Sequence, residues 1–446
     1  MKIRKTRSIC PTCLKEIPAD IINHNDKIYI EKKCKNHGKF KAIHYFDNPL
    51  VYESMHNIIK DSETGNPDGM VIDITLNCNM GCPFCFAKTD RRTMDEPSID
   101  TILSKIKGFK GSSIYLCGGE PTTREDLEEI ISKIKEKGKN IVLFTNGLKL
   151  ADKEYLKRLR ERGLDLVILS FSSFDRHQSR KIYGKDIITD KLSAIKNITE
   201  MNIPLYLMAI VKKKTIEKQI NEMIDFLKRN KTSVRVLNFQ VLWYPDGKGT
   251  ENEVTTHKIL QYLTSNYGLT VDDFIQSTIF SHRFFEILRK TTGYGGRRSP
   301  RCEIRCYTWI NNGEIIPISK IINISELNKK LTKINNQMSR QKRGKLWILM
   351  KNFPVIFLLT EFIKNQKLRL FIIGKIPFLF FDMINNRALA FSQTRGLLSI
   401  MLGNYHTIEN VDLDFIKTCT LYASDNDMHE ESFCMREIKR TCKEVK

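Results

Sequence analysis

The feature that most constrains the fold is a regular alternation of apolar runs and amphipathic stretches between Met70 and Tyr244. Short runs such as "MVIDITL" and "NIVLFT" have the pattern of buried strands. Stretches between them, such as "REDLEEIISKIKEKG", have apolar residues at helical spacing. The six repeats of this pattern predict an α/β fold of parallel strands joined by right-handed helical crossovers. In such sheets the side chains that do chemistry lie just after the strands, at their carboxyl ends.

Three cysteines follow the first predicted strand, in "LNCNMGCPFCFAKTD". Cys78, Cys82 and Cys85 have the spacing CxxxCxxC, which is one ligand short of a closed four-ligand metal site. Cysteine thiolates are the usual ligands of a cubane [4Fe–4S] cluster. If only three of them bind, one iron keeps an open position for a chelating substrate or cofactor. We therefore expect these three cysteines to hold a catalytic cluster.

With the aromatic Phe84, the motif becomes CxxxCxΦC and resembles the signature of the radical S-adenosylmethionine (SAM) superfamily. The resemblance implies a partial (β/α)6 barrel, a [4Fe–4S] cluster on the three cysteines, and SAM at the open iron. It also implies reductive cleavage of SAM to a 5′-deoxyadenosyl radical, which abstracts hydrogen from an unactivated carbon. An electron donor such as ferredoxin or flavodoxin would then be a partner.

The later strand ends resemble the SAM-binding residues of the same superfamily. "GGEP" follows the second strand, where glycines allow close backbone approach and a carboxylate accepts charge-assisted hydrogen bonds from an ammonium group. "TNG" and "LSFSSFD" end the next two strands, although serine or asparagine at a strand end is as often a helix cap or a loop hydrogen bond. The predicted cofactor-binding residues are Phe84, Gly118, Gly119, Glu120, Pro121, Asn146, Ser170 and Ser172.

The sixth predicted strand ends in "LNFQ", and we expect Asn238 and Gln240 to face the same cavity. Cys117 falls outside every ligand spacing, which indicates a small buried strand residue.

The first 48 residues contain a second set of metal ligands. Cys10, Cys13, Cys34 and His37 form a CxxC…CxxH pattern around a short predicted strand. Paired ligands on two turns suit tetrahedral Zn²⁺ or a mononuclear Fe. The segment 1–48 is therefore predicted to be a zinc-ribbon or rubredoxin-like knuckle.

Residues 251–446, after the predicted barrel at 65–250, form a predicted C-terminal α+β extension. Late cysteines in this extension favour an auxiliary iron–sulfur cluster, with Cys442 spare, although late cysteines can also be idle. Its segment 346–384 is densely apolar but interrupted by charges, so it is typical of core, a lid or an interfacial segment and not of a membrane span. The predicted auxiliary ligands are Cys302, Cys306, Cys419 and Cys434.

Segments outside the barrel, such as "CPTCLKEIPADI" and "CEIRCYTWINNGEIIPISKIINI", resemble the archaeal tetraether lipid synthase group and its relatives described as pterin methyltransferases. The resemblance implies radical coupling of carbons in a lipid, and the net charge of +22 suits a substrate with a phosphate head. The alternative is a radical SAM methyltransferase acting on a pterin or another small molecule.

A non-catalytic basic metal-cluster protein, which would bind nucleic acid or carry electrons, is the hypothesis of another class. No aromatic–basic RNA-binding signature is visible, so no nucleic-acid partner is expected. The start "MKIRKTRSICPTC" lacks the apolar region of a signal peptide, so a cytoplasmic protein with peripheral membrane contact is expected.

Overall fold

The structure, a computed structural model, describes most of the chain. Phe84 and the apolar segment 346–384 lie outside the described residues. Within the described part, no helix is both long and apolar enough to cross a membrane. The described residues are 1–60, 67–83, 85–87, 96–183, 185–230, 234–247, 254–292, 302–340, 397–403, 405–419, 421–424 and 430–443.

The N-terminal region is a four-stranded antiparallel sheet in the order β1-β2-β3-β4. Alternating residues of β2 (Glu16–His24) and β3 (Lys27–Cys34) are buried, because one face of the sheet packs on the helix α1 (Pro49–Lys60). Ile21, Ile28 and Ile30 on this face are inaccessible to solvent. The elements are β1 (Lys2–Ile9), β2 (Glu16–His24), β3 (Lys27–Cys34), β4 (Gly38–Ile43) and α1 (Pro49–Lys60).

The central sheet contains the six parallel strands that the sequence pattern predicts, side by side in chain order. These strands are β5 (Gly69–Thr75), β6 (Ser113–Gly118), β7 (Asn140–Thr145), β8 (Leu166–Ser170), β9 (Leu205–Val211) and β10 (Val234–Val241). The helices between them are α2 (Ile99–Ile106), α3 (Leu127–Glu136), α4 (Lys153–Arg162), α5 (Arg176–Tyr183), α6 (Ile188–Glu200) and α7 (Ile216–Arg229).

Local sequence signals set where these helices start and stop. The carboxylate of Asp152 accepts hydrogen bonds from the backbone of Glu154 and Tyr155 at the start of α4. The same helix ends at Gly163, whose φ of +112° belongs to the left-handed region that glycine tolerates. The crossovers therefore have defined lengths, and they bring each strand end to the same edge of the sheet.

The region after residue 250 extends the same sheet. Strand β13 (Leu397–Gly403) pairs in parallel with β10, and β14 (Leu421–Ser424) pairs in parallel with β5, so strands from both sides of the predicted boundary share one sheet. Antiparallel edges are added by β11 (Glu303–Asn311), β12 (Glu314–Pro317) and β15 (Glu430–Ser432). The elements are α8 (Thr256–Asn266), α9 (Val271–Thr292), β11 (Glu303–Asn311), β12 (Glu314–Pro317), α10 (Ile318–Ile321), α11 (Ile324–Arg340), β13 (Leu397–Gly403), α12 (Leu413–Ile416), β14 (Leu421–Ser424), β15 (Glu430–Ser432) and α13 (Phe433–Lys443).

Strand β5 is buried on both faces. Met70, Ile72 and Ile74 pack into the main core with the crossover helices. On the opposite, concave face, Val71 packs in a second cluster with Trp243 and with residues of α13. The C-terminal helix therefore covers part of the concave face of the sheet.

A network of buried ion pairs connects α13 to β5. The carboxylate of Asp73 accepts from the guanidinium groups of Arg436, at 3.1 Å, and Arg440, at 2.6 Å. Arg436 also pairs with Glu437 at 2.9 Å. Burial would raise the pKa of Asp73, but the two guanidinium groups outweigh it and lower that pKa below its usual value.

We expect Asp73→Asn to lower the free energy of unfolding by about 3–5 kcal/mol, because two guanidinium groups then share the carboxylate of Glu437 as their counter-charge in the network. Chemical denaturation followed by circular dichroism measures the change. The control Glu200→Gln removes the exposed partner of Lys153, and its effect should be much smaller.

The stabilisation by Asp73 should depend on pH in a defined direction. Since the pKa is depressed in the folded protein, the contribution is present above the unfolded value of about 4 and is lost as the pH falls through the folded value. Equal losses for the two variants at neutral pH would contradict this account of the network.

Candidate active site and metal sites

The side chain of Glu120 lies where three strand ends meet, and it is only 1% exposed. Its carboxylate accepts four hydrogen bonds: from the backbone and hydroxyl of Thr122 at 3.2 and 2.6 Å, from the hydroxyl of Thr145 at 2.7 Å, and from the backbone N–H of Asn146 at 2.7 Å. Burial raises the pKa of Glu120, and these hydrogen bonds oppose that rise. Glu120 thus joins the loop after β6 to the loop after β7.

Two glycines bring the loop after β6 against the segment that leads to the three cysteines. The N–H of Gly119 donates to Thr75 O at 2.7 Å, and the N–H of Glu120 donates to Asn77 O at 2.8 Å. A Cβ atom on Gly118 would lie 2.0 Å from Thr75 O, and one on Gly119 would lie 2.3 Å from Asn77 O. Only glycine fits at these two positions.

The side chain of Asn146 contacts the loop that contains Cys78, Cys82 and Cys85. Its side-chain amide donates to Asn79 Oδ1 at 2.7 Å and accepts from the backbone N–H of Leu148 at 3.0 Å. Lys185 holds the same loop, because its ammonium group donates to Asn79 O at 2.7 Å. The predicted cofactor residue Asn146 therefore lies beside the cysteines.

The three cysteines of the loop are close enough to influence one another. Cys78 is exposed, whereas Cys82 and Cys85 are partly buried, and the N–H of Cys85 donates to Cys82 O at 3.1 Å. Burial, with the thiols of Cys85 and Cys78, raises the pKa of Cys82 to about 11. The ammonium groups of Lys191 and Lys185 act in the opposite direction and favour the thiolate. Three thiols on one loop are one ligand fewer than the four irons of a [4Fe–4S] cluster, so they fit a cluster that keeps one free coordination position.

Lys191, on α6, is a candidate that the sequence reasoning missed. It is fully buried, its ammonium group lies 4.0 Å from the ring centroid of Tyr183, and it donates to Ser170 Oγ at 3.2 Å and to the carbonyl of Ser170. Burial lowers the pKa of Lys191 to about 7, although Cys82 and Glu120 oppose the change. Lys191 forms no ion pair with a carboxylate in the described part of the chain.

The two predicted serines have different surroundings. Ser170 is partly exposed at the end of β8, beside Lys191. Ser172 is 1% exposed, and its hydroxyl oxygen accepts from Tyr183 at 3.0 Å and from the backbone of Ile210 at 3.0 Å. Ser172 therefore joins neighbouring elements, and Ser170 is the serine that faces the candidate site.

A cavity of about 240 Å³ lies along the concave face of the central sheet. Asn238 and Gln240 line it, as the sequence predicts. Polar, aromatic and aliphatic side chains from strands at both sides of the sheet contribute to its wall. Its lining includes Asp68, Tyr115, Phe144, Ile168, Tyr206, Met208, Thr278, His282, Arg305, Met401 and Tyr405.

The structure brings three of the four predicted auxiliary ligands to the concave side. Cys302 and Cys419 line the cavity, and Cys434 is buried in the cluster of α13 beneath Tyr405. Burial raises the pKa of Cys434, and the nearby thiol of Cys419 adds to the rise. Cys302, Cys419 and Cys434 thus share one region of the molecule.

Cys306 is not brought to that region. Its neighbour Arg305 lines the cavity, and successive residues of a strand point to opposite faces. Cys306 accordingly packs in the main core with Ile304, where burial raises its thiol pKa and Ser277 of α9 is a hydrogen-bond partner. Its position separates it from the other late cysteines.

The N-terminal ligand set is assembled as the spacing predicts. The ligand atoms of Cys10, Cys13, Cys34 and His37 all lie within 4.8 Å of one another. The Sγ atom of Cys34 lies 3.4 Å from His37 Nδ1 and 3.9 Å from Cys13 Sγ. Burial opposes ionisation of Cys10, but hydrogen bonds from the backbone of Cys13 and Thr12 and from neighbouring thiols lower its pKa to about 6. Three thiols and one imidazole fit a tetrahedral metal ion.

Comparison with known proteins identifies two parts of the chain. Residues 72–227 match the model of the radical SAM superfamily, and residues 2–45 match that of the HMPTM N-terminal zinc ribbon domain.

Two curated relatives resemble the chain. The 7,8-dihydro-6-hydroxymethylpterin dimethyltransferase of Methanocaldococcus jannaschii is 31% identical over 266 residues, which are 53% of this chain and 53% of the relative. The probable GTP 3′,8-cyclase of Pyrococcus abyssi is 28% identical over 173 residues, which are 38% of this chain and 56% of the relative. The chain thus spans little more than half the length of these relatives.

Among solved structures, Streptococcus suis SuiB bound to S-adenosylmethionine covers 49% of this chain and 51% of its own, with 19% identity and a TM-score of 0.39. The range matched by the superfamily model starts in β5 and includes the cysteine loop, Glu120 and Lys191. Residues 72–227 therefore form a radical SAM domain, and enzymes of the radical SAM superfamily use a [4Fe–4S] cluster and SAM.

Proposed function

We propose that this chain binds SAM at the carboxyl ends of β5 to β8 and uses it in a radical reaction on a small polar molecule in the concave cavity. The observation that carries the proposal is the position of Lys191. A fully buried ammonium group beside Ser170 and near Cys82 lacks a carboxylate partner in the described part of the chain. With a pKa lowered to about 7, Lys191 is partly neutral at neutral pH, and a carboxylate such as that of SAM would stabilise its charged form.

The two charged groups of the methionine part of SAM have complementary surroundings. Ser170 and Lys191 would bind its carboxylate. The ammonium group would bind at the loop of Gly118 and Gly119, near the carboxylate of Glu120. Because Glu120 already accepts four hydrogen bonds, its main contribution is to fix the backbone oxygens of this loop and to supply negative charge.

Cys78, Cys82 and Cys85 would hold the cluster, which, with SAM bound, supplies the 5′-deoxyadenosyl radical. The protein residues orient SAM and exclude water. Asn146 and Lys185 keep the cysteine loop in position through Asn79. A rigid loop fixes the distance from the cluster to the cavity, and orientation of this kind is the main contribution of protein to cofactor chemistry.

The cavity favours a small molecule as substrate. Its volume of about 240 Å³ is slightly below the range of about 300–1,000 Å³ for ligand pockets, and Asn238, Gln240 and Arg305 place polar groups in its wall. The polar groups of this wall suit a pterin-like substrate. The reaction would then be a methyl transfer or a related reaction, as the name of the Methanocaldococcus jannaschii relative suggests. Radical coupling in a lipid is the second candidate, favoured by the apolar sequence at 346–384 and by the net charge of +22.

We also propose that the auxiliary iron–sulfur site uses Cys302, Cys419 and Cys434 without Cys306. The first two line the cavity, and the third lies next to Cys419. With two of its three thiols at the cavity wall, such a cluster would lie within reach of a bound substrate.

The anaerobically reconstituted protein, given SAM and dithionite, should form 5′-deoxyadenosine, which liquid chromatography measures. Cys82→Ala should form less than a hundredth of the wild-type amount, because one cluster ligand is lost. Cys117→Ala is the matched control, since Cys117 is a strand residue outside the cysteine loop, and it should retain activity. No product from the wild type, or equal product from Cys82→Ala, would contradict the proposed function.

Removing the charge of Lys191 should weaken SAM binding. We expect Lys191→Met to raise the Kd of SAM at least tenfold, whereas Lys191→Arg keeps the charge and should retain more of the affinity. Equilibrium dialysis with labelled SAM measures the constants, and iron analysis shows whether the cluster content is unchanged. Lys153→Met, on the exposed side of α4, is the control. An unchanged Kd in Lys191→Met would exclude Lys191 from the SAM site.

A further inference from the structure

The cavity contains a buried hydrogen-bond acceptor without a partner. Asn238 is 5% exposed and lines the cavity, and its Oδ1 atom has no hydrogen-bond partner in the described part of the chain. Gln240, two residues further along β10, lines the same wall. A buried acceptor without a partner costs free energy, so a ligand that donates a hydrogen bond to Asn238 Oδ1 would remove this cost.

Gly403 leaves room in front of this pair of amides. It is the register partner of Gln240 on the neighbouring strand β13. A Cβ atom on Gly403 would lie 2.5 Å from Gln240 Oε1 and 3.1 Å from Asn238 Oδ1. The backbone of Gly403 is not left-handed, so space and not conformation requires glycine there. Without a side chain at position 403, both amides are accessible from the cavity.

The strand register places the amide pair close to the candidate SAM site. In the strand register, Ser170 on β8 pairs with Met208 on β9, and Met208 pairs with Asn238 on β10. Two strand spacings separate Ser170 from Asn238, which corresponds to about 10 Å. A small molecule held by Asn238 would therefore lie next to SAM.

Aromatic side chains form other parts of the cavity wall. Tyr115, Phe144, Tyr206 and Tyr405 all line it, and the rings of Tyr115 and Phe144 lie 6.0 Å apart. Aromatic faces favour stacking with a flat ligand, and the amides provide polar contacts at its edge.

Resting on the proposed function, we propose that Asn238 and Gln240 determine substrate specificity by binding the amide-like edge of a planar nitrogen heterocycle. Such an edge has an N–H donor next to a carbonyl acceptor, as in a pterin or a guanine base. Each primary amide offers both a donor and an acceptor, so the pair matches this edge. Saturated hydrocarbon chains have no group that could donate a hydrogen bond to Asn238 Oδ1.

The reconstituted full-length chain, with 7,8-dihydro-6-hydroxymethylpterin and GTP as probes, tests the inference. Fluorescence or equilibrium dialysis measures the Kd of each probe in the presence of SAM. We expect the wild type to bind at least one probe. Asn238→Leu should raise its Kd at least tenfold because the polar contact is lost, and Gly403→Ala should do the same because the new methyl group displaces Gln240.

Leu237→Val is the matched control, because Leu237 adjoins Asn238 on β10 but packs into the main core. Its Kd for the probe should stay within twofold of the wild-type value. Formation of 5′-deoxyadenosine from SAM without substrate should continue in Leu237→Val, and the circular dichroism spectrum and iron content of Asn238→Leu and Gly403→Ala should match the wild type, which shows that their fold is intact.

The inference is overturned if the wild type binds neither probe, or if Asn238→Leu and Gly403→Ala bind the probe as tightly as the wild type does. Both outcomes differ from failure of the proposed function, in which the wild type forms no 5′-deoxyadenosine.

Discussion

The candidate site depends on the buried carboxylate of Glu120. Because this group accepts four hydrogen bonds, the loops after β6 and β7 are fixed relative to each other. The close backbone contact at Gly118 and Gly119 then extends this arrangement to the segment before Cys78. Asn146, whose backbone binds Glu120, also binds the cysteine loop through its side chain. One buried charge thus determines the geometry of three strand ends.

Buried charged side chains also connect structural elements on the other side of the cavity. Asp73 holds two guanidinium groups of α13, and that helix covers part of the concave face of the sheet. Lys32 makes a comparable connection from the N-terminal sheet, since its buried ammonium group donates to the backbone oxygens of Ile9 and Ile408. The N-terminal sheet and the C-terminal segment are therefore joined to the central sheet through buried polar contacts.

Much of the fold and part of the site could be predicted from sequence. The alternation of strands and helices reflects burial on two faces of a sheet, and it predicted where Glu120, Asn146 and Asn238 would lie. The four N-terminal ligands were predictable because their spacing within one short segment is a local property.

Features that depend on long-range packing could not be predicted. Lys191 lies within an ordinary amphipathic helix, and only the packing of α6 brings it to Ser170. Cys302 and Cys306 look equivalent in sequence, yet the alternation of side chains along β11 separates Cys306 from the cavity. The position of β13 beside β10, which places Gly403 against Gln240, required the tertiary structure.

In the proposed site, Cys78, Cys82 and Cys85 hold a cluster of which one iron is open to the amino and carboxylate groups of SAM. Electron–nuclear double resonance on the reduced protein, with SAM labelled by ¹⁵N at the amino group and ¹⁷O at the carboxylate, measures this contact directly. The account predicts hyperfine coupling of the cluster to both labels. A cluster spectrum that is unchanged by saturating SAM, with no coupling to either label, would contradict it.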